Sequence, residues 1–157
     1  IYTLSLHDAL PIYQPDAAVL KIVVNVPATT SAADQKTGAE ALLSLEPAAI
    51  YASNENAAGG VLAASNDGSD FDSEKGKFKD IIAIGFDAGK TQRTAVEKGW
   101  FLGSVTQDPY QIGFKAVELA VSAIEGKAAE SEIVDTGAKW YDAGNLDDPA
   151  VSELVYE

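Results

Sequence analysis

The chain has no cysteine and no methionine among its 157 residues, and its one histidine is His7. The lack of cysteine removes disulfide frameworks, thiolate metal sites and cysteine nucleophiles. It leaves the compartment open, because many exported proteins also do without cysteine. Methionine is missing even at position 1, so the chain reads as a processed product or a fragment. No apolar run reaches the length of about 18 residues that a membrane span needs. Basic residues are scarce: 11 Lys and Arg stand against 24 Asp and Glu, a formal charge of −13. A field of that sign repels nucleic-acid phosphates and anionic head groups, so neither nucleic acid nor direct membrane insertion is expected. With 46% apolar and 22% charged residues, the composition suits one globular domain with its own core.

Residues 1–12, Ile-Tyr-Thr-Leu-Ser-Leu-His-Asp-Ala-Leu-Pro-Ile, lack the basic start and small-residue cleavage site of a signal peptide. They closely resemble the translation of a common sequencing adapter, and are expected to be an artefact that packs on nothing in particular. His7 goes with them. The rest of the chain then has neither His nor Cys, which excludes a Ser-His-Asp triad, a Cys-His pair and any His-ligated metal. No catalytic residue, metal ligand or cofactor is expected, and the chain does not read as an enzyme.

From Leu20 onward, short β-branched runs alternate with longer stretches of helical spacing, the pattern of βαβ units. Strands are expected at Leu20–Val26, Ala48–Ser53, Ile81–Ile84 and Trp100–Thr106, with a last one at Glu132–Val134 that runs on toward Trp140. The apolar run Ile81–Ile84 suits a parallel strand covered on both faces. Helices are expected from an Asp34 N-cap to Pro47, from Asn54 or Asn56 to about Ser65, and over Thr91–Lys98 with Gly99 closing it. The longest follows Asp108-Pro109, an N-cap with proline at the first helical position, and runs to about Glu125 before Gly126. The fold class is therefore α/β, a parallel sheet with helices on both faces. On the long helix Gln111, Lys115, Glu118, Ser122 and Glu125 form one polar stripe, and the remaining arc is apolar.

Three motifs tempt and fail. Ile84-Gly-Phe-Asp-Ala-Gly-Lys-Thr91 sits where a phosphate-binding loop belongs, but Ile84 takes the first glycine's place and Asp87 brings a carboxylate into an anion site. Asp135-Thr-Gly137 is a single copy of a motif that works in pairs. Asp70, Asp72 and Glu74 have calcium-loop spacing, yet Lys75 stands where glycine is needed and Ile81 where a bidentate glutamate is needed. A solvated loop is the expectation there.

In open α/β sheets ligands bind beyond the carboxyl ends of the strands. Here those ends carry Asn54, Phe86, Asp87 and Gln107: two amides, a carboxylate and an aromatic, without any nucleophile and base pair. That set suits a neutral polyhydroxylated ligand, since a carboxylate accepts from hydroxyls, amides donate and accept, and a ring face covers apolar sugar carbons. Each residue also has a plainer reading, Asn54 as a helix cap, Asp87 as a turn former and Phe86 as core.

Ser53-Asn-Glu-Asn-Ala-Ala-Gly59, Ile84-Gly-Phe-Asp87 and Thr106-Gln-Asp-Pro-Tyr-Gln-Ile-Gly113 resemble, in that order, the C-terminal half of type I periplasmic sugar-binding proteins, the ribose-binding group. The ligand-binding domains of lac-repressor-like regulators share that fold. The resemblance covers roughly residues 20–140 and implies that Asn54, Asp87 and Gln107 hydrogen-bond sugar hydroxyls and that Phe86 packs on the ring. It also implies two lobes joined by a hinge. Residues 13–107 then form part of the C-terminal lobe, 108–135 cross the hinge into an absent N-terminal lobe, and 136–157 return as the second hinge crossing and tail. The implied partners are a small-molecule sugar and the membrane permease of an ABC transporter, in the periplasm or outside the cell. The alternative is a regulator's effector domain. A Rossmann-like enzyme is disfavoured because no Gly-x-Gly-x-x-Gly follows a strand. The family often places a sugar-stacking aromatic before the first helix, where this chain has Ala33, so ligand identity does not carry over.

Overall fold

The computed structural model describes residues 21–127 and 133–155. Residues 1–12 and the adapter reading lie outside them, as do Leu20 and Glu132. The elements in chain order are α1 (Ala32–Leu43), β1 (Ala49–Tyr51), α2 (Glu55–Ala64), a 3-10 turn (Ser69–Phe71), β2 (Ile82–Phe86), α3 (Lys90–Glu97), β3 (Gly103–Gln107), α4 (Pro109–Ile124), β4 (Ala138–Tyr141) and α5 (Pro149–Ser152). The sheet order is β1-β2-β3-β4, with β1, β2 and β3 parallel and β4 antiparallel to β3. The class is α/β with a mostly parallel sheet. Right-handed crossovers put α2 and α3 on one face, where α2 touches α3 and β2, and α3 touches β3.

Cross-strand register separates the two faces of the sheet. Ile50 lies opposite Ala83, and these, with Gly85, Ser104 and Tyr141, are buried in the core with Ala58, Val61, Ala95, Val96 and Phe101. Tyr51 lies opposite Ile84, and Phe86 opposite Val105, on the other face. That face is more open: Tyr51 and Ile82 are exposed, and Ile84, Phe86 and Val105 are half-buried. The expected two-sided cover of the Ile81–Ile84 run is thus close on one side only, among the described residues.

Local caps fix the helices. Asn54 Oδ1 accepts the Ala57 N–H at 2.9 Å, and Asp108 Oδ1 accepts the Gln111 N–H at 2.9 Å ahead of Pro109. Gly99 and Gly126 close α3 and α4 with positive φ of 70° and 74°, where glycine avoids a Cβ clash. For α1 the cap is Ser31 rather than Asp34: the Ser31 Oγ accepts the Asp34 N–H at 3.2 Å. Asp34 instead receives the Thr29 hydroxyl and adds its charge to the first turn.

Three other expectations change. Residues 21–27 form no ladder, and Ile22, Val23, Val24 and Val26 are exposed. β-Branched composition supplies strand propensity but not a partner, and the three residues of β1 bond only to β2 among the described residues. The 66–76 loop is not simply solvated, since Phe71 is buried with Phe78 and Phe101, ring centroids 5.8 and 6.2 Å away. One aromatic in an acidic stretch carries no periodicity to announce this. Ile133 and Val134 are outside β4, which starts at Ala138.

No residue of α4 is buried. Its least exposed positions are Gln111, Lys115 and Ser122, on the polar stripe, while Tyr110, Phe114, Val117, Val121 and Ile124 are exposed.

α1 and α2 pack closely because Gly60 has no side chain. A Cβ there would meet the Gln35 carbonyl carbon and oxygen at 2.7 Å, whereas one at Gly59 would meet nothing within 4 Å. Gly60→Ala is expected to destabilise by about 1–3 kcal/mol through overpacking. Gly59→Ala is expected to stabilise by about 0.5–1 kcal/mol through helix propensity. Urea unfolding midpoints check both, and shifts of the same sign would overturn the packing account.

Candidate functional site

The carboxyl ends of β2 and β3 and the start of α2 meet around Asp87. One carboxylate oxygen, Oδ2, accepts the backbone N–H of Glu55 at 2.9 Å, in the first turn of the helix that Asn54 caps. The other, Oδ1, accepts the Gln107 amide Nε2 at 3.2 Å. A carboxylate at a helix N-terminus meets unpaired N–H groups and the positive end of the helix dipole. Asn54, Asp87 and Gln107 are therefore gathered at one edge of the sheet. Asn54 and Gln107 are exposed and Asp87 is half-buried. The Asn54 Oδ1 is committed to its cap, which leaves the amide Nδ2 as the group it has to offer. Phe86 ends β2 beside Val105, half-buried, and its carbonyl accepts from the buried Gln92 side chain.

Asp87 has φ +77°, in the left-handed region. Asp enters that region more readily than most L-residues, though still at some strain. Its backbone is held on both sides: the N–H donates to Val105 O at 2.7 Å, and the carbonyl accepts from Ser104 Oγ and Tyr141 Oη, each at 2.9 Å. Gly85 makes room for this, since a Cβ there would meet Ser104 Oγ at 2.9 Å and the Phe101 ring at 3.3 Å.

A reciprocal arrangement joins α2 to α3. The start of α3 has no side-chain cap of its own, and the Glu55 carboxylate lies against Gly89, the residue in the N-cap position. Asp87 thus serves α2 while Glu55 serves α3. The phosphate-loop likeness ends here, because that helix start already faces a carboxylate.

Tyr51 adds a phenol to the site. Burial first, and the nearby Asp87 carboxylate second, push its pKa above the ordinary tyrosine value. Tyr51 also lines a small cleft with Asn25, Gln35 and Ser53. Nothing in the sequence pattern marks Tyr51, Glu55, Ser104 or Tyr141 as site residues. Tyr51 and Ser104 lie in strand patterns and Glu55 at a helix start that local pattern already explains, Tyr141 lies just past the expected last strand, and only the fold brings them to Asp87.

The other motifs are turn formers. Asp72 Oδ1 accepts the Glu74 and Lys75 N–H groups at 3.1 and 3.2 Å, and Asp135 Oδ1 accepts the Gly137 N–H at 2.8 Å. Among the described residues no group of three or more acidic or histidine side chains is placed to hold a metal ion. No helix among them is long and apolar enough to cross a membrane.

Residues 7–128 match the family described as Periplasmic binding protein domain. A solved structure from Brachyspira murdochii, described as an ABC transporter, LacI family transcriptional regulator, is 41% identical with a TM-score of 0.71, covering 84% of this chain and 42% of that one. A carbohydrate transporter solute-binding protein from Agrobacterium radiobacter, solved with D-arabinose, is 26% identical with a TM-score of 0.66, covering 80% and 41%. An ABC transporter solute-binding protein from Agrobacterium vitis with bound D-fucose is 24% identical with a TM-score of 0.70, covering 87% and 45%, and shows likeness of fold. The chain thus spans less than half the length of each of these proteins. No curated protein matches the sequence.

Replacing Asp87 by Asn removes the charge beside Tyr51 and keeps its burial. The Tyr51 pKa is expected to fall in Asp87→Asn yet stay above the ordinary value, because burial is the larger cause. The difference between ultraviolet titrations with and without Tyr51→Phe reads it. An unchanged titration would separate the two groups electrostatically.

Proposed function

Because the chain belongs to the periplasmic binding protein domain family, we propose that it is the C-terminal part of a solute receptor that binds a neutral sugar or related polyol for an ABC transporter. The observation that carries the reading is Asp87, a carboxylate held at the strand edge between a helix N-terminus and the Gln107 amide, with Asn54 beside it. Such a group accepts bonds from ligand hydroxyls while the amides donate and accept. Phe86 supplies an apolar face. Nothing in the set offers a nucleophile with a base, so the ligand is held and released unchanged. The D-arabinose complex of the Agrobacterium radiobacter relative supports the ligand class. The regulator alternative is less favoured, since that sugar-bearing relative is described as a transporter component.

In this reading residues 13–107 belong to the C-terminal lobe, 108–135 to the hinge and a first lobe, and 136–157 to the returning hinge and tail. Ligand capture closes the two lobes on each other. The partners are the sugar and a membrane permease, and the location is the periplasm or the cell exterior. The exposed apolar arc of α4 fits a helix that covers a sheet of the first lobe.

The test is calorimetry on a two-lobe receptor in which this chain replaces the matching segment of the Brachyspira murdochii protein. Binding of a neutral monosaccharide, with D-arabinose and D-fucose in the panel, is the expected result, and Asp87→Ala is expected to weaken it by about 1.5–3 kcal/mol. An isotherm unaffected by Asp87→Ala removes that residue from the site. Absence of binding across the panel overturns the sugar reading.

A second expectation concerns the 157-residue chain alone. Covering the apolar arc of α4 is worth about 10 kcal/mol, for about 400 Å² at about 25 cal/mol per Å², against a typical domain stability of roughly 5–15 kcal/mol. The isolated chain is expected to self-associate in light scattering and to bind no sugar measurably. A monomer that binds tightly would overturn the two-lobe assignment of α4.

A further inference from the structure

Ser104 and Tyr141 are paired across the antiparallel β3 and β4 strands, and both are fully buried. Their hydroxyls converge on one acceptor, the Asp87 carbonyl, each at 2.9 Å. The same residue's N–H is tied to Val105 O at 2.7 Å. Both sides of the Asp87 backbone are thereby fixed while its φ stands at +77°. A carbonyl oxygen has two lone pairs, and here two buried hydroxyls fill them. Rotation of Asp87 out of the left-handed region would break both of these hydrogen bonds inside the core, where their loss is costly. The carboxylate direction follows from that backbone, and it is the direction that meets the Glu55 N–H and the Gln107 amide.

We propose that Ser104 and Tyr141 are positioning residues that hold Asp87 in its left-handed conformation, so that its carboxylate projects at the strand edge. The consequence for ligand binding rests on the reading of Asp87 given above, but the positioning itself does not. Tyr141 lies in the strand that ends the sheet, 54 residues beyond Asp87. The last strand therefore takes part in shaping the site.

The test needs no ligand. Amide hydrogen exchange is followed by NMR in the two-lobe receptor that carries this chain and in its Tyr141→Phe, Ser104→Ala and double variants. Glu55 reports on the Asp87 carboxylate, and Ala52 and Leu102, bonded to Ile84 O and Ala83 O, report on the sheet. Exchange at Glu55 is expected to quicken by about tenfold in the double variant, the loss of one hydrogen bond's protection, with Ala52 and Leu102 unchanged. In an Asp87→Ala background the same substitutions are expected to add nothing at Glu55, because the bond they protect is already gone. No change at Glu55 overturns the proposal. So does equal quickening at Ala52 and Leu102, or an added effect in the Asp87→Ala background, since either marks a general structural role. If Tyr141→Phe unfolds the chain, Ser104→Ala alone carries the same comparison. Calorimetry on Asp87→Ala decides separately whether the positioned carboxylate meets a sugar.

Discussion

Two carboxylates at the starts of α2 and α3, one from the end of β2 and one from α2, organise the edge of this sheet. Asp87 leaves the end of β2 and bonds to the first turn of α2, while Glu55 leaves α2 and lies at the start of α3. Helix starts carry unpaired N–H groups and a partial positive charge. The first turn of α3 has no acidic residue of its own, and the Glu55 carboxylate lies against the Gly89 at its start. The two contacts fix the spacing of α2, α3 and the strand ends at once. Gln107, at the end of the neighbouring parallel strand, then falls within reach of the same carboxylate.

Burial is divided unevenly around that edge. The face carrying Ile50, Ala83, Gly85 and Ser104 is closed by α2, α3 and Phe101, and small residues let the layers come near. The opposite face carries larger apolar side chains, Ile82, Ile84, Phe86 and Tyr51, and is part-open. α4 repeats the imbalance, with its polar stripe less exposed than its apolar arc.

Features decided within a few residues were readable from the sequence. Asn54, Asp108-Pro109 and Gly99 mark helix ends by side-chain and backbone chemistry that acts three or four positions away, and the helices start or stop there. The βαβ order was legible for the same reason, since periodicity is local. Ser31 against Asp34 shows the limit, because both residue types cap helices and only the chain's approach decides between them. The 21–27 segment has strand composition, but whether it joins the sheet depends on an edge elsewhere. At the site, strand-end position and the family resemblance both point to Asn54, Asp87 and Gln107. Tyr51 and Ser104 give no signal because each follows the alternation of its own strand, and Tyr141 lies past the last stretch of strand pattern. Their relation to Asp87 spans 17 residues for Ser104 and 54 for Tyr141, and no spacing rule reaches that far.

The two oxygens of Asp87 differ in what can happen to them. Oδ2 is bound to a backbone N–H in the first turn of α2, and releasing it means disturbing the helix. Oδ1 is bound to the end of an exposed glutamine side chain at 3.2 Å, and releasing it needs only a rotamer change. A carboxylate oxygen has two lone pairs, so under the proposed reading a ligand hydroxyl either shares Oδ1 with Gln107 or takes its place. Under that reading, discrimination among hydroxyl-bearing molecules falls to geometry, meaning whether the newcomer lets the Gln107 amide keep an acceptor within reach.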